Sequence, residues 1–351
     1  MSSLFGKNLL FVISQPRAGS TLLQRMLGSH PDIHTVSEPW LMLYPLYGLR
    51  SRGQWAEYNW EKASAAMQGF VSHLPRGADD YSEGMRRMYG YLYHRVLAGS
   101  GKRYFLDKTP RYYLIISELY RTFPEARYIV LLRNPLAVLC SIIRTWIKEN
   151  CLGFAQYFQL YEYRHDLVRA PGLLLEGAEI LGERCIVVRY EELVRDPQGQ
   201  IRRICDELGV SFAPRMLEYG GADHCRWTLG DQEHVYKFKG PCEERLASWE
   251  RDVDDPQIWR FANEYLEILG QKTLEHMGYS YGELRRILED HRPYRILSCL
   301  TFSLTWLLGK PLRERRRWEV NLLRLIRSIQ KNGIIGTLSA GLVTLFRLHE
   351  R

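Results

Sequence analysis

Leu9-Leu10-Phe11-Val12-Ile13-Ser14-Gln15-Pro16-Arg17-Ala18-Gly19-Ser20-Thr21 is the stretch on which the fold turns. Five consecutive apolar residues closed by Ser-Gln-Pro predict a strand buried on both faces, not one that alternates apolar and polar. From Leu22 to Gly28 the apolar spacing becomes helical. A buried strand that passes through a tight turn into a helix is the opening unit of a doubly wound α/β layer. Three further runs repeat it: Tyr104–Asp107, Arg127–Leu132 and Cys185–Arg189. Helical spacing follows over Leu114–Phe123, Leu136–Lys148 and Gln198–Leu208, and Ile33–Ser37 predicts a further short strand. Right-handed crossovers then make the sheet parallel, with helices on both faces.

Between Trp40 and Ser100 the pattern turns helical and aromatic, with Tyr44, Tyr47, Trp55, Tyr58, Trp60, Tyr81, Tyr89, Tyr91 and Tyr93. It reads as a helical insertion over about residues 40–100, lying over the open edge of the sheet. Its aromatic residues are candidates to line an apolar acceptor cleft, against the plainer reading of a packed core stripe.

The 351 residues are 46% hydrophobic and 25% charged, which excludes a disordered chain, a collagen-like repeat and a polytopic membrane protein. A net charge of +8 suggests a nucleic-acid or membrane partner until its distribution is read. Residues 292–351 carry 12 Lys and Arg against 3 Asp and Glu, which leaves 36 basic against 37 acidic residues in 1–291. The chain divides into a near-neutral α/β domain, 1–291, and a basic extension, 292–351. Seven scattered cysteines have no zinc-ligand spacing and read as buried free thiols of a reducing compartment. No metal is expected. No signal peptide is apparent, because Asn8 to Ile13 already reads as a strand, and the body is expected in the cytoplasm.

The turn Ser14–Thr21 presents backbone N–H groups and a helix N-terminus to an anion. Against the ATP-binding pattern G-x-x-x-x-G-K-[ST], Gly19 and Thr21 fit, Ser14 replaces the first glycine and Ser20 the lysine. Arg17 restores a cation within the loop. The plain alternative is an ordinary strand–helix turn capped by Ser20 or Thr21. A second anion site follows the Arg127–Leu132 strand, where Arg133 ends the strand and Ser141 lies two helical turns on. Here the alternative is a helix start with a surface arginine. Two separate phosphate positions do not describe ATP.

With these two segments the chain resembles the sulfotransferases that use 3′-phosphoadenosine 5′-phosphosulfate (PAPS). Gln15–Leu23 with Ser29-His30-Pro31 looks like their 5′-phosphosulfate loop and following helix, and Arg133–Ser141 like their 3′-phosphate motif. Leu106-Asp107-Lys108-Thr109-Pro110 and Arg189-Tyr190-Glu191-Glu192-Leu193 match recurrent family segments. The likeness runs from about Asn8 to Gly278 and is nearest the branch of tyrosylprotein sulfotransferases and their bacterial relatives. It implies a P-loop NTPase-like parallel sheet, PAPS as co-substrate and PAP as product.

By that resemblance Arg17, Ala18, Gly19, Ser20 and Thr21 would hold the 5′-phosphosulfate, and Arg133 and Ser141 the 3′-phosphate. Lys108 would stabilise the transferring group, Tyr190 would lie by the nucleotide, and Lys239 would close a late loop over it. Glu38, 21 residues after Arg17, is the candidate general base. Pro39-Trp40 differ from that branch's following residues, so a shared acceptor does not follow. His34 is the rival base, and His30 reads as a structural cap. The acceptor is a hydroxyl or amine, with a lipid or apolar small molecule among the options. An ATP-dependent P-loop kinase, or a membrane-recruited nucleotide-binding protein without turnover, are the competing functions.

In the extension, Ile296–Gly309 and Asn332–Phe346 are uncharged runs of 14 and 15 residues, short of the roughly 18–20 that span a bilayer. Between them Trp318, Leu322, Leu325 and Ile329 share a helical face while Arg317, Arg324, Arg327 and Lys331 lie away from it. That pattern suits a basic amphipathic helix on an anionic membrane surface, making the enzyme peripheral. Packing on the body or on a second subunit, as a homo-oligomer, is the alternative. No nucleic-acid module accompanies the charge.

Overall fold

A computed structural model describes residues 6–47, 59–147, 160, 162–218 and 240–293. Five parallel strands form one sheet: β1 (Leu9–Ser14), β2 (Ile33–Thr35), β3 (Tyr104–Lys108), β4 (Arg127–Leu132) and β5 (Cys185–Arg189), in the order β2-β3-β1-β4-β5. β1 is central and wholly buried, with Leu10 opposite Leu106 of β3 and Val12 opposite Ile129 of β4. Its chain leaves toward β2 and that of β4 toward β5. The loops after β1 and β4 therefore part at the carboxyl edge, where an open α/β sheet forms its crevice.

Alternation along β1 divides the core. Leu9, Phe11 and Ile13 face a layer that holds Tyr93, Phe105, Tyr112, Phe123 and Tyr128, while Leu10 and Val12 face Leu23, Met26 and Leu27 of α1 (Ser20–Gly28). The Phe11 ring stacks on Tyr128 at 5.3 Å and meets Tyr93 edge-on at 6.2 Å. A ring so enclosed is worth about 3–5 kcal/mol against alanine. A further cluster joins the helix after β4 to the helix Pro256–His276.

Between β2 and β3 lie α2 (Leu43–Tyr47), α3 (Trp60–Ser72) and α4 (Ala78–Ser100). Tyr93 and Leu97, one turn apart, seat α4 on the sheet face, with Tyr93 5.2 Å from the Phe105 ring. β2 ends two residues earlier than its apolar run suggests, because Gln24 Nε2 binds Thr35 Oγ1 (2.8 Å) and the Val36 carbonyl (2.7 Å) in place of a ladder. The helical stretch after β3 is split into a 3₁₀ turn, Pro110–Leu114, and α5 (Ile116–Thr122). That after β4 is α6 (Pro135–Ile142), relaxing to a π turn over Ile143–Ile147.

Cys140, Cys185, Cys205 and Cys242 are free thiols; Cys151, Cys225 and Cys299 lie outside the described residues. The same holds for Trp55, Tyr58 and the basic extension beyond residue 293. Among the described residues no helix is long and apolar enough to cross a membrane, and no three His, Cys, Asp or Glu side chains group as a metal site.

Candidate active site

The loop after β1 is built on two left-handed residues, Arg17 at φ 68° and Gly19 at φ 93°. They turn the chain so that α1 starts at the carboxyl edge, and no side chain caps its first turn. Ala18, Ser20 and Thr21 are buried there, with the Ala18 N–H donating to the Gln15 carbonyl at 3.2 Å. Gln15 Nε2 ties the loop to the Asp166 carbonyl at 2.9 Å. A Cβ on Gly19 would fall 2.3 Å from Tyr190 Cδ2, so glycine is required both for the turn and for this ring.

Arg133, at the end of β4, donates from Nη1 to the Arg17 carbonyl at 2.8 Å and lies 4.3 Å from the Tyr190 ring centroid. Its Nε is buried without a hydrogen-bond partner. Arg17 Nε in turn donates to Ser141 Oγ, 3.2 Å away on α6. Arg17, Gly19, Arg133, Ser141 and Tyr190 are thus one cluster, although they follow three different strands. Asn134 caps α6 by accepting from the Leu136 N–H at 2.9 Å. Glu191 braces the arrangement: Oε1 accepts from the Asn134 N–H (3.0 Å) and Oε2 from Tyr279 Oη (2.6 Å). Beside this carboxylate the Tyr279 phenol is held well above its ordinary pKa, first by burial.

On the other side of β1, Lys108 ends β3 fully buried. Its Nζ donates to Thr21 Oγ1 at 3.3 Å and forms an ion pair with Glu38 Oε1. Burial pulls the ammonium pKa down, against the opposing pull of Glu38. The second Glu38 oxygen, Oε2, accepts from Trp40 Nε1 at 3.1 Å. Beneath them Asp107 accepts from Tyr93 Oη (2.6 Å), Tyr112 Oη (2.9 Å) and Thr109 Oγ1 (2.8 Å). Burial raises this carboxyl to about 6 in spite of the three donors.

The two histidines stand apart from this chain of contacts. His30 Nδ1 accepts from the Asp32 N–H at 3.0 Å, so Nε2 carries the proton toward the Ser211 carbonyl at 2.8 Å. It is a turn cap. His34 lies on β2 against Phe105, its pKa lowered by burial and by Lys102. Lys239 lies outside the described residues. Sequence reasoning did not single out Asp107, Trp40, Arg111 or Asp166 as site residues. Arg111 makes a two-pronged ion pair with buried Asp166 (2.6–3.1 Å) and spreads over the Trp40 ring at 5.3 Å. Only Asp107 carried a local signal, in Asp-Lys-Thr-Pro.

A parallel sheet in this order, with a lysine-free loop after the central strand and an arginine-bearing loop beside it, is a P-loop-like α/β fold. The model of the sulfotransferase family matches residues 10–214, and the chain belongs to that family. The match includes Arg17, Glu38, Lys108, Arg133, Ser141 and Tyr190, and stops short of Lys239. Nodulation protein NoeE of Sinorhizobium fredii is 29% identical over 289 residues, 77% of this chain and 66% of that protein. Protein-tyrosine sulfotransferase A of Caenorhabditis elegans is 26% identical over 221 residues, 60% of this chain and 52% of that one. The chain thus spans about half to two thirds of the length of these relatives. The sulfotransferase domain from the curacin biosynthetic pathway superposes with a TM-score of 0.45 at 24% identity, over 69% of this chain and 89% of that domain.

Proposed function

We propose that the chain transfers a sulfuryl group from PAPS to a hydroxyl or amine acceptor, with Glu38 as general base and PAP as product. One observation carries this reading. Thr21, Lys108 and Glu38 form a continuous chain of polar contacts that joins the loop after β1 to an acidic side chain. A base, a buried cation and the donor loop therefore share one locus.

The residues present suit the donor. Arg17, Arg133, Ser141 and the uncapped start of α1 supply cations, a hydroxyl and amide dipoles, and the buried Arg133 Nε has an unmet donor. These groups fit an anion at two positions. PAPS supplies an activated sulfuryl group whose S–O bond to the 5′-phosphate breaks as the acceptor's bond to sulfur forms. Gly19, Ser20, Thr21 and Arg17 hold the phosphosulfate end, and Arg133 with Ser141 holds the 3′-phosphate. Tyr190 backs both loops. Lys108 offsets negative charge on the transferring group and its bridging oxygen, in a buried setting where charge stabilisation is strongest. Glu38 takes the acceptor proton. The acceptor is a hydroxyl in the names of relatives, tyrosine for one and a hydroxylated menaquinone for another.

Thermal shift separates this from a kinase: PAP without metal raises the melting temperature, and ATP–Mg²⁺ does not. The reverse result overturns the donor assignment. PAP release from PAPS over a panel of phenols, alcohols, sugars and amines then tests Glu38. Glu38→Gln is expected to bind PAP normally and lose about 10²–10⁴-fold in kcat. Undiminished turnover removes Glu38 as base, and absence of turnover in the wild type favours a nucleotide-binding protein without catalysis.

A further inference from the structure

We propose that Trp40 is the positioning residue for Glu38: its indole N–H fixes the carboxylate from the side opposite Lys108. The proposal rests on the reading of Glu38 as base and concerns what aims it. Trp40 sits at φ 52°, a conformation that a bulky side chain adopts only when its surroundings impose it. Three contacts do so. Its N–H donates to Thr109 Oγ1 at 3.3 Å, and its ring lies beneath the Arg111 guanidinium, which Asp166 locks. Its Nε1 donates to Glu38 Oε2 at 3.1 Å.

The main-chain anchors lead to one group. Thr109 Oγ1 receives the Trp40 N–H and Tyr112 Oη receives the Met42 N–H at 3.1 Å, and both hydroxyls donate to Asp107. The loop that carries Glu38 is thus fastened to β3 just past the base. Lys108 and Trp40 each engage a different carboxylate oxygen. Each oxygen has a second lone pair, so the base is aimed while keeping capacity for an acceptor proton. Lys108, Arg111 and Asp107 are the charged groups that bear on it. A tryptophan serving only to fill space here would be replaceable by phenylalanine. One serving to aim Glu38 would not.

The test uses the full chain with ¹⁵N-labelled tryptophan. The Trp40 indole resonance is assigned as the one missing from Trp40→Phe, which keeps an aromatic ring under Arg111. It is expected downfield in the wild type, as for a donor to a carboxylate, and to move upfield in Glu38→Gln. With the best acceptor of the panel above, Trp40→Phe is expected to lose about 10- to 100-fold in kcat at unchanged KM for PAPS, the scale of a misaimed catalytic group. An indole resonance identical in wild type and Glu38→Gln, or wild-type kcat in Trp40→Phe, overturns the proposal. The spectrum needs no acceptor. If Glu38→Gln keeps full turnover, the base reading falls, and the resonance still decides whether the indole holds that carboxylate.

Discussion

Gly19 carries two demands that no other residue meets together: a left-handed backbone and room for the Tyr190 ring. Tyr190 in turn is the surface on which Arg133 lies. Adding one methyl at Gly19 therefore displaces the ring on which Arg133 lies as well as straining the loop after β1. Gly19→Ala is expected to weaken PAP binding about tenfold or more, since alanine at positive φ alone costs on the order of 1 kcal/mol. Isothermal calorimetry checks it, and wild-type affinity would show that the ring and the loop are not coupled. The candidate base shows the same dependence on neighbours. Glu38 is recognisable in sequence only by its interval from Arg17, whereas its partners Lys108 and Trp40 define what it can do.

Strand β3 is the element that holds the loop bearing Glu38. Its last residues, Asp107 and Lys108, have different tasks: one anchors the loop after β2 through hydroxyls, the other pairs with Glu38, the proposed base. Burial lifts Asp107 to about 6, above the 3.8 of an unperturbed carboxyl. Between those values the folded protein binds more protons than the unfolded chain, so this group's contribution to stability falls as pH rises from about 4 to about 6. Asp107→Asn removes that dependence. The melting temperature of Asp107→Asn relative to wild type is expected to climb across this interval; a constant difference would show that the carboxyl is ionised throughout. The sequence marked β3 by its apolar residues and missed the anchor, because one aspartate in a strand says nothing of the tyrosines that reach it from α4 and from the turn after β3.

For the whole molecule, charge separates two tasks. The body is near neutral and needs only a few placed cations, while residues 292–351 hold the excess. We propose that this extension brings the enzyme to anionic membrane. The 351-residue chain is expected to sediment with phosphatidylserine vesicles at low salt and to release as ionic strength rises. Changing Arg313, Arg315, Arg316 and Arg317 to Gln should abolish most of that binding, and no change would defeat the proposal.

Strand order along the chain, the two candidate anion loops and the family were legible from local runs, because a buried parallel strand and a strand–helix turn are each encoded in about ten consecutive residues. Arg17, Gly19 and Arg133 could be named on that basis alone. Only the tertiary structure decided which groups meet. β3 slots between β1 and β2, bringing Lys108 and Trp40 to the two oxygens of Glu38 and Arg111 over the indole. Hydrogen bonds and ion pairs depend on distances of about 3 Å, and residues some 70 positions apart acquire such distances only when the sheet closes.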